Sequence, residues 1–281
     1  MLTVLEIIKR TTDFLDKRGV ESARLNAELM IGHTLGLKRM QLYLQFERPL
    51  TEAELERIRP LVKRRGNREP LQYILGETEF AGLKLKVDRR ALIPRPETEY
   101  LVELLQRRRP GPVARLLDLG TGTGAIAFAL AKAHPDAAVL AVDRSSAALA
   151  LARENAAALG LAERVVLRES DWFSALAAGE RFDLIVANPP YLSAEETRAA
   201  EPEVREHEPL EALSPGPDGA AALARIIREA PGFLAPDGLL ACETGIAQHQ
   251  SLRPLAEAAG FRLIDSVQDL TGRERYLFLE R

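Results

Sequence analysis

A regular alternation of strand-like and helix-like segments from residue 113 onward is the feature that most restricts the fold of this chain. Short apolar runs, typical of buried strands, are separated in most places by longer segments with helical character. The strand-like runs are ARLLDLG, AVLAVD, RVVLRE, FDLIVAN, LLACET, RLIDSV and RYLFLE. Strands that alternate with helices pair mostly in parallel, because each helix carries the chain back along the sheet. The sequence therefore predicts an α/β fold with a doubly wound, mostly parallel sheet covered by helices on both faces.

The part of the chain before this sheet is different, because residues 1–75 have the pattern of a small helical bundle. Ser22 is a candidate cap of the second helix. Thr51 and Glu54 have the spacing of a capping box at the start of a later helix, which Pro60 is expected to kink or restart. We expect residues 1–75 to form a separate domain.

Residues 76–95 connect this bundle to the sheet and alternate apolar with polar residues. This alternation predicts a hairpin or an edge ribbon, and its apolar positions are Phe80, Leu83, Leu85 and Val87. Pro96 then suits the first position of a helix. The predicted domains are thus 1–75, a linker hairpin over 76–95, and an α/β domain over 96–281.

Composition and charge exclude several classes of protein. The chain has 281 residues, 28% of them charged, and a net charge of −3, which argues against a chain built mainly to coat nucleic acid. Cys242 is the only cysteine and the four histidines lack metal-type spacing, so neither a disulfide nor a metal site is predicted. The N-terminal segment is charged and amphipathic, and no apolar run approaches the roughly 18 residues of a membrane span. We therefore expect a cytoplasmic protein.

The glycine-rich segment DLGTGTGAIA lies between the first predicted strand and a helix. Gly120, Gly122 and Gly124 allow positive φ angles and let a ligand approach the backbone, and the start of the helix favours an electronegative group. Asp143, at the end of the next strand, can accept hydrogen bonds from the hydroxyls of a ribose. S-adenosylmethionine and NAD both use this arrangement, so the loop alone leaves both open. Asp118 before the loop completes DLGTGTG, which looks like the first motif of class I methyltransferases.

The fourth predicted strand ends in the elbow Asn-Pro-Pro-Tyr, residues 188–191. In a doubly wound sheet this strand lies beside the first, so its end faces the same crevice as the glycine loop. The side-chain oxygen of Asn188 and the carbonyl of Pro189 can accept the two N–H groups of a planar amide or aromatic amine, while Tyr191 stacks on it. The prolines would hold these groups in place before the substrate binds. The alternative is that Pro-Pro merely ends a strand and Asn188 caps a turn.

Several segments together resemble the glutamine methyltransferases that modify peptide chain release factors. Those in the core are DLGTGTGAIA, VDRS, SDWFSAL and NPPY; those outside it are PLQYILGETEF, LIPRPETE, EVREHEPLEAL, ETGIAQ and DLTGRERY. The resemblance runs from about residue 70 to the end of the chain, and IPRPETE together with NPPY is much more specific than NPPY alone. His207 stands where an aromatic residue is more usual, a departure that concerns local loop packing.

The resemblance implies methylation of the side-chain amide nitrogen of the glutamine in a Gly-Gly-Gln tripeptide of a release factor. The donor is S-adenosylmethionine, and S-adenosylhomocysteine is the product. The residues expected to contact this cofactor are Gly120, Thr121, Gly122, Thr123, Gly124, Asp143, Trp172 and Asn188. Trp172 would lie against the adenine and Asp143 would bind the ribose hydroxyls.

The same resemblance implies a pocket for the glutamine side chain. The catalytic residues would be Asn188, Pro189 and Tyr191, and the residues expected to bind the substrate are Asn188, Pro189, Pro190, Tyr191, Phe80 and Arg95. The implied partners are release factors, with no membrane and no direct nucleic acid contact, and we expect the helical domain over residues 1–75 to help to dock them.

Two other functions share parts of this pattern. An enzyme that methylates amino groups of DNA or RNA uses a similar elbow, but the net charge of −3 and the small helical N-terminal segment disfavour it. An NAD-dependent oxidoreductase or a non-catalytic nucleotide-binding module would share the glycine loop.

Three further features of the sequence have more than one reading. Glu243 ends a strand on the ligand side, where either a ligand contact or a supporting role is plausible. The basic residues Lys63, Arg64, Arg65 and Arg68 suit a solvated helix end, with an acidic partner as the less favoured reading. The polar, proline-rich segment 195–220 is predicted to be a long loop that is either functional or disordered.

Overall fold

The computed structural model of the protein describes residues 2–216 and 219–281. The chain forms two compact units. One consists of the chain up to Gly76 together with Glu201–His207, and the other of Glu77–Ala200 together with Glu208–Arg281.

The first unit is helical, as its sequence pattern predicts. Its helices up to Gly76 are α1 (Val4–Asp16), α2 (Ala23–Leu35), α3 (Arg39–Tyr43), α4 (Glu52–Gly66) and α5 (Leu71–Leu75). The capping box of Thr51 and Glu54 at the start of α4 is confirmed, because both reciprocal hydrogen bonds are present.

Two other expectations about this helical unit are wrong. Ser22 adopts a left-handed conformation with φ of 52° and its side chain makes no capping hydrogen bond. Helix α4 continues through the exposed Pro60, where water can satisfy the carbonyl that the proline leaves unpaired.

The remaining elements follow in the order that the sequence predicts. They are β1 (Glu77–Phe80), β2 (Leu83–Lys86), α6 (Pro96–Arg108), β3 (Arg115–Leu119), α7 (Ala125–Ala133), β4 (Ala138–Asp143), α8 (Ser146–Ala158), β5 (Val165–Glu169), β6 (Phe182–Ala187), α9 (Ala194–Ala199), α10 (Pro202–His207), α11 (Ala221–Glu229), β7 (Leu234–Glu243), α12 (His249–Ala258), β8 (Leu263–Gln268) and β9 (Glu274–Glu280). Short 3-10 turns occupy Leu210–Ala212 and Ala230–Gly232. Strands β1 and β2 form the predicted antiparallel hairpin. None of the helices in the described part of the chain is long and apolar enough to cross a membrane.

The second unit is built on a seven-stranded sheet in the order β5-β4-β3-β6-β7-β9-β8. All neighbouring strands are parallel except β9, which runs antiparallel to both β7 and β8. The chain proceeds outward from β3 to β5 and then returns to place β6 on the other side of β3. The predicted doubly wound fold is therefore confirmed, and its order reverses between β3 and β6, where such sheets open a crevice for ligands.

Alternate side chains of the central strands enter two separate hydrophobic layers. On β6, Leu184 and Val186 join the layer formed with α6, α7 and α8, whereas Ile185 joins the layer formed with α11 and α12. All three side chains are at most 1% exposed. Since successive residues of a strand point to opposite faces, burial on both faces explains why this strand is a continuous apolar run.

The segment predicted as a long loop is largely folded and includes α9 and α10, although Pro217 and Asp218 lie outside the described residues. Helix α10 belongs to the first unit. Its Glu203 accepts hydrogen bonds from Arg65 Nη2 at 2.8 Å and from Arg68 Nε at 2.7 Å. Arg64 pairs with a carboxylate of the same unit, Glu69, at 2.8 Å. These arginines thus have partners inside the unit, which weighs against an acidic partner molecule for the basic run.

Replacing Glu203 by glutamine should destabilise the first unit. Burial raises the pKa of Glu203, but hydrogen bonds from Arg68 and Arg65 outweigh it and lower the pKa to about 2. The ionised carboxylate therefore contributes stability above its ordinary pKa of 4.5, and this contribution is lost as the pH falls towards 2. We expect Glu203→Gln to cost about 1–3 kcal/mol at pH 7, a loss that diminishes below pH 4.5.

The matched control for this prediction is Glu201→Gln. Glu201 also pairs with Arg68, at 3.2 Å, but its side chain is 77% exposed, against 17% for Glu203. We expect this change to stay within about 0.5 kcal/mol. Thermal unfolding and hydrogen exchange of residues 201–207 measure both effects, and equal losses in the two variants would contradict the prediction.

Candidate active site

A cavity of about 360 Å³ opens at the carboxyl edge of the sheet in the second unit. Its wall includes the glycine loop, the ends of β4 and β6, and the segment before α6. The predicted site residues found in this wall are Gly120, Thr121, Gly122, Thr123, Asp143, Trp172, Asn188, Pro190 and Arg95. The structure thus brings together most of the residues that the sequence singles out, from positions as far apart as Arg95 and Pro190.

The glycine loop leaves β3 through three left-handed residues. Gly120, Gly122 and Gly124 have φ angles of 72°, 55° and 86°. A side chain at Gly124 is impossible without rearrangement, because its Cβ would lie 2.0 Å from the ring of Phe128. Much of the hydrogen-bonding capacity that we expected to face a ligand is used inside the protein: the N–H groups of Gly120 and Thr121 donate to the carbonyl of Val142. The loop is therefore held rigidly against β4.

Asp118, the residue before Leu119 at the end of β3, is fully buried beneath the loop. Its Oδ2 accepts from Thr121 Oγ1 at 2.6 Å and from the N–H of Ala127 at 3.2 Å. Within residues 2–216 and 219–281, its Oδ1 has no hydrogen-bond partner. Burial raises the pKa of Asp118 to about 7. Asp118 is not among the described residues that line the cavity, and its role is to hold the loop from below.

Asp143 ends β4 and lies in the cavity wall. Its Oδ2 accepts from the N–H of Gly122 at 2.9 Å, and its Oδ1 accepts from the N–H of Ser145 at 2.8 Å. Each oxygen of a carboxylate accepts about two hydrogen bonds, so both retain capacity for a ligand hydroxyl. Burial raises the pKa of Asp143, and the two backbone hydrogen bonds oppose this shift. The carboxylate is consequently oriented before any ligand binds.

Trp172 stands on another side of the same cavity in a conformation that is unusual for a residue with a side chain. Its φ is 54°, and strain of this kind is concentrated at functional sites. Ser170 Oγ donates to the carbonyl of Trp172 at 2.8 Å. The indole approaches Gly120 so closely that a Cβ there would lie 3.3 Å from the ring. An aromatic face, a carboxylate with free acceptor capacity and a loop with three glycines fit a nucleoside-bearing cofactor.

The elbow begins where β6 ends, beside the ends of two other strands. Ala187 pairs with Leu119 of β3 and with Cys242 of β7, so the following Asn188 comes next to Glu243. Asn188 Nδ2 donates to Thr98 Oγ1 at 2.9 Å, and Thr98 Oγ1 donates to Glu243 Oε2 at 2.7 Å.

Glu243 is also bonded to the other end of the elbow. The hydroxyl of Tyr191 donates to Glu243 Oε1 at 2.9 Å. Burial raises the pKa of Glu243, while hydrogen bonds from Thr98 and Tyr191 and the charge of Arg275 oppose this shift. Burial, followed by the charge of Glu243, raises the pKa of Tyr191, so the phenol stays protonated. Glu243 thus supports the elbow at both ends. It accepts from the hydroxyl of Thr98, which is bonded to Asn188, and from the hydroxyl of Tyr191.

Some predicted substrate residues lie elsewhere than expected. Phe80 is 1% exposed and belongs to the hydrophobic layer with α6 and α7, so its assignment to the pocket wall is corrected to a core position. Pro189 is buried and Tyr191 is half-buried, and neither is among the described residues that line the cavity. Gly124 also lies outside that wall, where it caps α7. The proposed contacts of Pro189 and Tyr191 with a substrate stay predictions.

Arg95 lies in the cavity wall and is paired with a buried carboxylate. The guanidinium hydrogen-bonds Glu208, which is 7% exposed. Glu208 Oε2 also accepts from the N–H of Ile93 at 3.2 Å. This carboxylate therefore holds the segment before α6 in place along the cavity.

Thr98 and Glu208 are structural partners that the sequence analysis does not single out. Both lie in segments of the resemblance, LIPRPETE and EVREHEPLEAL, but neither has a spacing that indicates a chemical role. Glu243 was considered, with its role left open. The importance of Thr98 depends on its contacts with Asn188 and Glu243, which lie 90 and 145 positions away along the chain. No local pattern of residues encodes these contacts.

Comparison with known proteins adds independent findings to this geometry. Residues 6–76 match a family model described as the PrmC N-terminal domain, and residues 96–205 match the methyltransferase small domain. A catalytic domain titled hMettl16, solved with an RNA hairpin, has a TM-score of 0.60 at 16% identity over 78% of this chain and 81% of that chain. At this identity the likeness shows the fold alone.

Relatives that match nearly the full length decide the family. The release factor glutamine methyltransferase of Geobacter sulfurreducens is 44% identical over 97% of this chain and 95% of that protein. The enzyme of the same name from Cereibacter sphaeroides is 45% identical over 92% of this chain and 91% of its own length. The chain belongs to the release factor glutamine methyltransferase family, whose members are S-adenosylmethionine-dependent methyltransferases.

Proposed function

We propose that this protein transfers a methyl group from S-adenosylmethionine to the side-chain amide nitrogen of the glutamine in the Gly-Gly-Gln motif of peptide chain release factors. The observation that carries this proposal is the position of Asn188. Its amide lies in the cavity wall with the nitrogen bonded to Thr98, which leaves the oxygen as an acceptor for another donor. Relatives named release factor glutamine methyltransferase match nearly the full length of the chain.

The chemistry of an amide explains why such an acceptor is useful. The nitrogen lone pair of a planar amide is delocalised, so the nitrogen attacks well only when it is held in the correct orientation. S-adenosylmethionine, when bound, supplies a methyl group that is already activated on a sulfonium. We assign the Asn188 oxygen and the Pro189 carbonyl to the two N–H groups of the glutamine, with Tyr191 packed beside it. The protein's contribution is orientation rather than a strong base, because the methylated amide nitrogen readily loses its extra proton to water.

The cofactor site is assigned to the opposite part of the cavity wall. Asp143 would accept the ribose hydroxyls, because both of its oxygens keep acceptor capacity. Trp172 would lie against the adenine, and the loop from Gly120 to Gly124 would hold the ribose and methionine part. The three glycines of this loop, which allow a ligand to approach the backbone, and the contact of the Trp172 indole with Gly120 support this assignment.

Incubation with labelled S-adenosylmethionine tests the proposed function. We expect mass spectrometry to find one added methyl group on the Gly-Gly-Gln glutamine of a release factor, and none on a factor with alanine at that position. DNA and RNA serve as rival acceptors in the same assay. Label on nucleic acid instead of the release factor, from a folded enzyme, would favour the alternative of a nucleic acid amino-methyltransferase.

Replacing Asp143 by asparagine should weaken cofactor binding. Both carboxylate oxygens of Asp143 accept a hydrogen bond, whereas an asparagine side chain has only one acceptor oxygen. The N–H group of Gly122 or of Ser145 therefore loses its partner. We expect the Kd of S-adenosylmethionine to rise roughly 10- to 100-fold, the range for losing a hydrogen bond to a charged group. Because burial raises the pKa of Asp143 above its ordinary 3.8, wild-type affinity should fall with decreasing pH before that value is reached.

Glu169→Gln is the matched control for this measurement. Glu169 ends the neighbouring strand β5 in register with Asp143, but it is exposed and does not line the cavity. Calorimetry should find its affinity for the cofactor unchanged. An Asp143→Asn variant with wild-type affinity would reject the assignment to the ribose.

The first unit is assigned to docking of the release factor. None of the described residues that line the cavity belongs to this unit. On and just after α3, Met40 and Leu44 are 70% and 86% exposed, which is unusual for large apolar side chains four positions apart. The proposed partners are release factors without direct nucleic acid contact, in keeping with the net charge of −3, and the proposed compartment is the cytoplasm.

A double change of Met40 and Leu44 to glutamate should raise the KM for the release factor several-fold. Charges at the docking surface would oppose association, whereas kcat and the Kd of S-adenosylmethionine should not change because the cavity is untouched. Val166→Glu, at a residue 58% exposed on β5 of the second unit, controls for the added charge. An unchanged KM in the double variant would reject a docking role for this surface.

A further inference from the structure

The direction of each hydrogen bond around Thr98 depends on which group has a proton to donate. A hydroxyl group has one proton to donate, and Glu243 is the acceptor in its hydrogen bonds with Thr98 and Tyr191. Thr98 gives its proton to Glu243 Oε2 at 2.7 Å. The Thr98 oxygen is then an acceptor only, and Asn188 can meet it only with its NH₂ group, at 2.9 Å. The carboxylate thus fixes the direction of every bond in the series.

We propose that Thr98 and Glu243 are positioning residues that determine which end of the Asn188 amide faces the substrate. This inference rests on the proposed methylation of a glutamine amide. With the NH₂ group bonded to Thr98, the side-chain oxygen of Asn188 is the atom left for the substrate. Without the Thr98 hydroxyl, the two ends of the Asn188 amide lose the bond that distinguishes them.

The arrangement is rigid because each participant is fixed by a separate part of the fold. Thr98 is 4% exposed and Glu243 is 1% exposed, so neither side chain has room to choose another partner. The hydroxyl of Tyr276, which is fully buried, donates to the carbonyl of Glu97 at 2.8 Å and so holds the start of α6. Tyr276 pairs with Glu243 across β9 and β7. The same pair of strands therefore carries both the carboxylate and the anchor of Thr98.

Tyr191 ties the far end of the elbow to the same carboxylate. Its hydroxyl donates to Glu243 Oε1 at 2.9 Å. Glu243 therefore accepts one hydrogen bond on each oxygen, one from the helix before the sheet and one from the elbow. The buried charge is accompanied by Arg275, whose guanidinium carbon lies 5.8 Å from the centre of the Tyr191 ring. This second bond makes Glu243 a support for both sides of the substrate pocket.

The orientation of Asn188 has a consequence for substrate choice. A primary amide presents two N–H donors, which match the Asn188 oxygen and a backbone carbonyl. A glutamate side chain presents only acceptors when ionised, so it would face acceptors without a proton between them. Thr98 and Glu243 would in this way favour glutamine over glutamate at the methylated position.

The test is a double-mutant cycle on the full-length enzyme with its release factor. Thr98→Val removes the hydroxyl at nearly constant shape, Thr98→Ser keeps it, and Asn188→Ala removes the amide. We expect Thr98→Val to lower kcat about 10-fold or more, with the Kd of S-adenosylmethionine unchanged, and Thr98→Ser to retain activity within about 3-fold. In the Asn188→Ala background, Thr98→Val should have little further effect, because Thr98 acts through Asn188.

Glu243→Gln provides a second route that does not alter Thr98. The glutamine amide can donate to Thr98, which frees the Thr98 proton for the Asn188 oxygen and turns that amide around. We expect a loss of kcat comparable with that of Thr98→Val. This variant decides the question if Thr98→Val does not fold, as judged by circular dichroism.

A measurement independent of catalysis separates this inference from the proposed function. The side-chain NH₂ signals of Asn188, identified by their loss in Asn188→Ala, should exchange slowly in the wild type and faster in Thr98→Val. If the wild type transfers no methyl group to a release factor, the proposed function fails, while the exchange rates still test the role of Thr98. Wild-type kcat and exchange in Thr98→Val, or an equal loss of kcat in both backgrounds, would overturn the inference.

Discussion

The parallel register of β6 between β3 and β7 is the constraint on which the site depends. Ala187 lies opposite Leu119 on one side and Cys242 on the other. Because parallel strands end at the same edge of a sheet, the residues that follow these positions, Gly120 and Asn188 among them, meet there. A slip of one residue would move Leu184 and Val186 into the layer that is packed around Ile185, so the fit of side chains in both layers favours the observed register. The stability of the core and the geometry of the site thus have the same origin.

The site is built largely from buried carboxylates whose hydrogen bonds fix other groups. Asp118 holds the glycine loop through Thr121, Glu208 holds the segment that carries Arg95, and Glu243 holds Thr98. Each of these carboxylates is at most 7% exposed. Burial of a charge opposes folding, as the raised pKa values of Asp118 and Glu243 indicate. Each of these side chains is the acceptor in these hydrogen bonds and so sets the direction in which its hydroxyl or guanidinium partner points.

Sequence patterns predict the elements of this fold better than the details of their ends. The short apolar runs that alternate with helical segments correspond to the strands of the sheet. The capping box of Thr51 correctly marks the start of α4. Ser22 was expected to cap a helix and Pro60 to interrupt one, and both expectations fail because tertiary packing and solvent exposure outweigh local preference. Phe80 is apolar and close in sequence to the predicted pocket, but the hairpin turns its ring into the core.

Neighbouring residues and regular spacing are enough to indicate the fold class, the glycine loop, the carboxylate at Asp143 and the elbow that begins at Asn188. The direction of the Asn188 amide and the side chains that support it emerge only in the folded molecule. Thr98 and Glu243 are 145 positions apart and become hydrogen-bonded only when α6 lies across the end of β7. The direction of a hydrogen bond is a property of two groups brought into contact, and the order of residues along a chain does not contain it until the chain has folded.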